Sequence, residues 1–185
     1  LKEIYEQPKT INDTISPRIK DNDIVIEELN MSDEEIKEIT KIHIVACGSA
    51  YHTGVTAKYV IEGLARIPVE VDVASEFRYR DPILQKGNMV IVISQSGETA
   101  DTLAALRESR ERGFKVLGIV NVVGSSIARE ADSVMYTWAG PEIAVATTKA
   151  YSAQLTALYM LAMKFARVRG TIDQEKFCLL YTSPS

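Results

Sequence analysis

The chain has little of what metal and redox centres are made from. Its 185 residues include two cysteines and two histidines. Cys47 and Cys178 lie far apart without ligand-like spacing, so neither a disulfide framework nor a metal site is expected, and a reducing cytoplasm fits. Lys and Arg are scattered and the net charge is −4, which leaves no basic patch for nucleic acid. No apolar run is long enough to span a bilayer, and no signal-peptide pattern opens the chain, so no membrane partner is expected. Internal repeats and low-complexity segments are also lacking. The chain begins with Leu1 rather than Met, which reads as a piece of something longer.

With 46% apolar residues the chain can bury one sizeable core. Residues 1–40 read as polar helices joined by a turn. Leu1, Ile4, Tyr5, Ile11 and Ile15 recur at roughly helical spacing up to Ser16, and Pro17 interrupts them. Ser32 and Glu35 form a capping box opening a helix over 33–40. The charge density of this stretch suits a linker or docking segment better than a core. Residues 41–177 form the domain proper. Residues 178–185 break the amphipathic pattern and read as an unrelated tail belonging to no element.

From Lys41 the texture alternates. Strands are predicted over 42–46, 69–73, 88–93, 115–120 and 133–137, and helices over 51–65, 99–112 and 148–168. Short turns of helix fall at 76–79 and 125–130. The last long helix carries Leu155, Leu158, Tyr159, Ala162 and Phe165 on one face. Apolar strands alternating with helices predict an α/β fold with a five-stranded parallel sheet covered on both faces. Such sheets bind ligands beyond the carboxyl ends of their strands, near the switch in strand order. The loops after the first and third strands are the two richest in small hydroxyl residues, which places the candidate site there.

The third strand, Met89 to Ile93, runs into Ser94-Gln95-Ser96-Gly97-Glu98-Thr99. Hydroxyls and backbone N–H groups at a helix N-terminus make a neutral cradle for an anion such as a phosphate ester. Ser96 and Thr99 as plain helix caps are the competing explanation. Glu98 opposes a phosphate unless its carboxylate points away or meets a cation. The loop lacks the lysine of a nucleotide P-loop and the glycines of a dinucleotide fingerprint, so no cofactor is expected. Cys47-Gly48-Ser49-Ala50 ends the first strand, where Ser49 is either a ligand donor or an N-cap. Cys47 reads as a small buried hydrophobe. Thr147 and Thr148 either cap the long helix or reach a sugar, and Lys149 is placed to pair with Glu98 or Glu142. Glu76, Arg78 and Arg80 read as an ion-pair cluster, and His52 as structural.

Together these motifs carry a resemblance. Ala46-Cys-Gly-Ser-Ala-Tyr-His52, Ser75-Glu-Phe-Arg-Tyr-Arg80, the loop from Ser94 to Asp101 and Val145-Ala-Thr-Thr-Lys-Ala150 resemble the first sugar-isomerase (SIS) domain of the glucosamine-6-phosphate synthase family, the isomerizing glutamine–fructose-6-phosphate aminotransferases. The resemblance covers about residues 1–177. It implies a flavodoxin-like, three-layer α/β/α fold and a homodimer formed through SIS domains. It implies that Ser94, Gln95, Ser96 and Thr99 hold the phosphate of fructose 6-phosphate, and that Ser49, Ala50, Val145 and Thr147 line the rest of the site. Ala50 stands where the family commonly has a hydroxyl, so only its backbone N–H could contribute.

The same resemblance implies synthesis of glucosamine 6-phosphate for amino-sugar formation, with ammonia released from glutamine by a separate glutaminase domain. The catalytic glutamate, histidine and lysine belong to the second SIS domain or beyond, so this chain is expected to bind without turnover and to carry no catalytic residue. Two alternatives stay open. A sugar-phosphate-sensing regulatory SIS domain would need a basic DNA-binding segment upstream. A stand-alone phosphosugar isomerase would need its own base.

Overall fold

The computed structural model describes residues 1–144 and 147–182. The chain opens with α1 (Lys2–Tyr5), α2 (Gln7–Ile15), a small antiparallel pair β1 (Ile19–Lys20) and β2 (Asp23–Ile24), and α3 (Asp33–Lys37). The αβ body follows: β3 (Lys41–Ala46), α4 (Ser49–Ala65), β4 (Val69–Val73), α5 (Ala74–Tyr79), β5 (Asn88–Ser94), α6 (Ala100–Glu111), β6 (Lys115–Val120), α7 (Ser126–Glu130) and β7 (Ser133–Tyr136). Two helices complete it, α8 (Lys149–Arg169) and α9 (Gln174–Thr182).

Strands β3 to β7 form one parallel sheet of five in the order β4-β3-β5-β6-β7. The sheet is two-sided because alternate side chains of each strand enter different cores. Ile42, Ile44, Met89, Ile91, Ile93, Leu117 and Ile119 belong to one buried cluster, which α4 and α8 complete. Val45, Val90, Val92, Val116 and Val120 belong to the other, closed by Phe77, Ala105, Leu106 and Ile127. All of β5 is buried. This is the flavodoxin-like, three-layer arrangement expected from the sequence. Strand order reverses between β3 and β5, and a crevice opens there beyond the strand ends.

Three stretches differ from the sequence-based expectation. The first forty residues lend Ile24, Ile26, Leu29, Ile36 and Ile39 to the main core. Arg18, 1% exposed, donates to the carbonyls of Thr14 and Tyr136 and pairs with Glu28, which ties the segment to the end of β7. The segment is docked on the body, and its many charges line the outside of that contact. The Ser32–Glu35 capping box forms as expected, opening α3.

Residues 178–182 of the stretch expected to lack any element instead belong to α9, which also carries Phe177, fully buried beneath Arg167. On α8 the buried face is also broader than the stripe through Leu155 and Tyr159. Ala150, Ala153, Gln154, Ala157, Leu158, Leu161 and Phe165 are buried while Tyr159 is 40% exposed, because α8 is packed by α4, α2 and α3 as well as by the sheet.

Candidate functional site

A cavity of about 220 Å³ opens at the switch between β3 and β5. Ser49, Ala50, Ser94, Gln95, Ser96, Thr99 and Thr147 line it, together with Cys47, Ile93 and Gln154. The sequence-named positions therefore converge from three separate loops, although Val145 lies outside the described residues. The structure adds Cys47, Ile93 and Gln154. Cys47 is half-buried rather than sealed in the core, and its sulfur lies 3.8 Å from the Thr102 hydroxyl.

The loop after β5 holds itself in a tight curl. Ser94 is buried, shares a 2.8 Å hydrogen bond with the Thr99 hydroxyl and accepts the Gly97 N–H at 3.0 Å. Ser96 Oγ accepts the Glu98 N–H at 3.2 Å. Gly97 has φ +69°, a left-handed conformation that favours glycine, and its carbonyl accepts the Ile127 N–H. The Gln95 carbonyl accepts the Asn121 N–H. These bonds brace the curl against the loop after β6 and present its outer edge to the cavity.

Glu98 turns away. Its carboxylate accepts the Ser126 N–H at 2.7 Å, at the start of α7. Hydrogen bonding by the Ser126 hydroxyl and then its backbone N–H holds the Glu98 carboxyl below its ordinary pKa, so it is ionised at neutral pH. The objection that this acid would repel a phosphate is removed by its direction.

Helix capping, the competing explanation for the hydroxyls, does not hold in the structure. Thr99 occupies the N-cap position of α6 but makes no side-chain cap bond, its hydroxyl being turned to Ser94. Gly48, with φ +57°, is the N-cap of α4, and Ser49 lies inside the first turn; among the described residues no side-chain cap bond is made there either. Two helices of 17 and 12 residues thus begin at the cavity without a capping oxygen. Their first N–H groups and partial positive charge are directed at a site suited to an anion.

The start of α8 is different. Glu142 Oε1 accepts from the N–H of Thr148 at 2.8 Å and of Lys149 at 3.0 Å, filling that helix end with an internal carboxylate. Lys149 pairs with Glu6 at 2.6 Å, not with Glu98 or Glu142, because α2 brings the N-terminal segment over the base of α8.

Elsewhere, Arg80 and Lys41 pair with Glu70, and Arg80 also pairs with Asp72, while Arg78 pairs with Asp101; Glu76 takes no part in these pairs. His43, Glu70 and Asp72 bring ligand-type atoms close together, but both carboxylates are already engaged by those cations. Burial first, and then the charge of Lys41, push the His43 pKa down. His52 is exposed, stacked edge-on against Tyr51, and is not part of the cavity lining.

The family model described as SIS domain matches residues 35–164. The chain is a SIS domain. Over 177 residues it is 61% identical to the isomerizing glutamine–fructose-6-phosphate aminotransferases of Clostridium tetani and of Caldanaerobacter subterraneus subsp. tengcongensis. Each match covers 95% of this chain and 29% of the relative's length. Among solved structures, the C-terminal domain of glucosamine-fructose-6-phosphate aminotransferase from Francisella tularensis superposes with a TM-score of 0.91 at 41% identity. That superposition covers 97% of this SIS domain and 50% of the Francisella chain. Among the described residues no helix of the SIS domain is long and apolar enough to cross a membrane.

Proposed function

We propose that the cavity between β3 and β5 holds the phosphate of a hexose 6-phosphate, and that this SIS domain is the first of the isomerase module of a glutamine–fructose-6-phosphate aminotransferase. The observation that carries the proposal is the pair of helix N-termini, on α4 and α6, that meet uncapped at a cavity lined by serine and threonine hydroxyls. Among the described residues no lysine or arginine lines it, so a dianion would be held by neutral donors and helix dipoles. Ser94, Ser96, Thr99 and the Gln95 amide grip the phosphate from the β5 side. Ser49, the Ala50 N–H and Thr147 complete the enclosure among the described residues.

The parent enzyme would combine fructose 6-phosphate with glutamine-derived ammonia to give glucosamine 6-phosphate, in the cytoplasm and as a homodimer through SIS domains. The names and the high identity of the relatives support this, and their remaining length has room for a glutaminase domain and a second SIS domain. Among the described lining residues no carboxylate, histidine or lysine is available to move a proton. The role left to this chain is substrate binding, with the acid–base residues of the reaction carried elsewhere in the parent.

Calorimetric titration with fructose 6-phosphate tests the assignment. Ser96→Ala removes a hydroxyl at the cavity wall and is expected to weaken binding by about 1.5–3 kcal/mol, the range for a hydrogen bond to a charged group. Equal affinity in parent and variant would refute the placement of the phosphate. Production of glucosamine 6-phosphate by this chain alone would refute the division of labour.

A further inference from the structure

Asn121, the first residue after β6, joins two walls of the cavity without lining it. Its backbone N–H donates to the Gln95 carbonyl in the curl at 3.2 Å. Its side chain reaches the other way, to the loop that leaves β7. Oδ1 accepts the Thr137 hydroxyl at 3.2 Å and the Ala139 N–H at 2.7 Å, and Nδ2 donates to the Gly140 carbonyl at 2.7 Å. A backbone N–H can only donate and a carbonyl can only accept, so these partners fix which way the amide lies. The amide offers an acceptor and a donor, as a peptide group does, and carries the pairing of β6 with β7 beyond its last pair, Val120 with Tyr136.

Trp138 lies between the two residues that donate to Oδ1. Its φ of +49° is a left-handed conformation that a bulky side chain seldom adopts and that persists only where the surroundings over-determine it. Trp138 is itself 47% exposed, so packing alone does not hold it. Its neighbours Thr137 and Ala139 are buried, and both are bonded to Asn121. From this turn the chain passes through Gly140 and Pro141 to Glu142, whose carboxylate accepts the N–H groups of Thr148 and Lys149, next to Thr147 in the cavity wall. We propose that Asn121 is a positioning residue: by holding the strained Trp138 turn, it sets the wall that carries Thr147 in register with the Ser94–Thr99 curl, so that both meet one ligand. This rests on the cavity being the sugar-phosphate site. Trp138 is the only tryptophan in the sequence, so its fluorescence reports on its own turn.

The test compares the 185-residue chain with Asn121→Ala, which removes the whole clamp, and with the milder Thr137→Val, which removes one donor to Oδ1 at nearly constant shape. Each protein is titrated with fructose 6-phosphate, and acrylamide quenching of Trp138 is recorded with and without saturating ligand. In Asn121→Ala the turn should open, and quenching should rise by up to about twofold from a ring already 47% exposed. Affinity should fall about tenfold, matching a turn correctly held about one tenth of the time, and saturating ligand should bring quenching back towards the bound parent's value. Thr137→Val should move both readings the same way, with affinity down about threefold. Raised quenching with unchanged affinity would overturn the proposal, because the turn would then not set the site. Weakened affinity with unchanged quenching would overturn it by placing the effect outside the turn. If Asn121→Ala does not fold, parent-like readings from Thr137→Val would overturn it alone. Those three results leave the cavity assignment standing, whereas a parent chain that fails to bind fructose 6-phosphate would overturn that assignment and the Asn121 proposal together.

Discussion

Replacing Gly97 by alanine probes the curl that the whole site depends on. Gly97 sits at φ +69°, where an L side chain costs about 1–2 kcal/mol. The new methyl would fall 2.5 Å from the Ser125 Cβ and closer still to its hydroxyl. Ser125 is 3% exposed and has little room to move, so overpacking adds about 1–3 kcal/mol. Reduced freedom of the unfolded chain returns up to about 1 kcal/mol. The net loss is then about 1–5 kcal/mol, and a domain of this size loses about 2–4 °C of melting temperature per kcal/mol.

The two costs separate in a second variant. Ser125→Gly removes the clashing atoms and leaves the backbone strain, and Ser125 makes no side-chain cap bond to α7 that would be lost. Gly97→Ala with Ser125→Gly should therefore recover the overpacking share and keep a deficit of about 1–2 kcal/mol from the backbone. Denaturant unfolding of the parent, both single variants and the double variant measures all of this. A Gly97→Ala protein as stable as the parent, or one that Ser125→Gly does not rescue, would refute the curl as described.

Other consequences are as direct. Glu98 has its pKa lowered in the folded state, so its stabilising contribution is present above the ordinary carboxylate pKa and is lost as pH falls through the lowered value. Glu98→Gln should accordingly lose less stability than the parent between pH 7 and pH 3 in denaturant titrations, and identical pH dependence would count against the Ser126 contact. Ile24 is 1% exposed within the main core, and Ile24→Ala is expected to cost about 2–5 kcal/mol by equilibrium unfolding. A loss under about 0.5 kcal/mol would mean that the N-terminal segment is not docked as observed.

The sheet was legible because a parallel strand buried on both faces is apolar along its middle, and β5 from Met89 to Ile93 and β6 from Val116 to Val120 read that way. The site was legible because hydroxyl-rich loops after β3 and β5 coincide with the reversal of strand order. The first forty residues were harder. Ile24, Ile26, Leu29, Ile36 and Ile39 reach the core from a hairpin, a single 3₁₀ turn and a short helix, so their spacing follows no single period.

The C-terminal helix was hidden for a related reason, since only Phe177 among its described side chains is fully buried. Gln154 did leave a trace. It lies four residues after Ala150 and three before Ala157, a polar group on an apolar stripe, and becomes visible once the stripe is drawn through those alanines instead of through Leu155 and Tyr159. The bond from Lys149 to Glu6 joins residues far apart in the chain and had no local sign.

The most direct measurement is a crystal structure of this chain with fructose 6-phosphate bound. The phosphate is predicted to lie between the starts of α4 and α6, within hydrogen-bond distance of the Ser94–Thr99 curl and the Ser49 turn. A phosphate seated anywhere else on the domain, or one held by lysine and arginine side chains, would contradict the account.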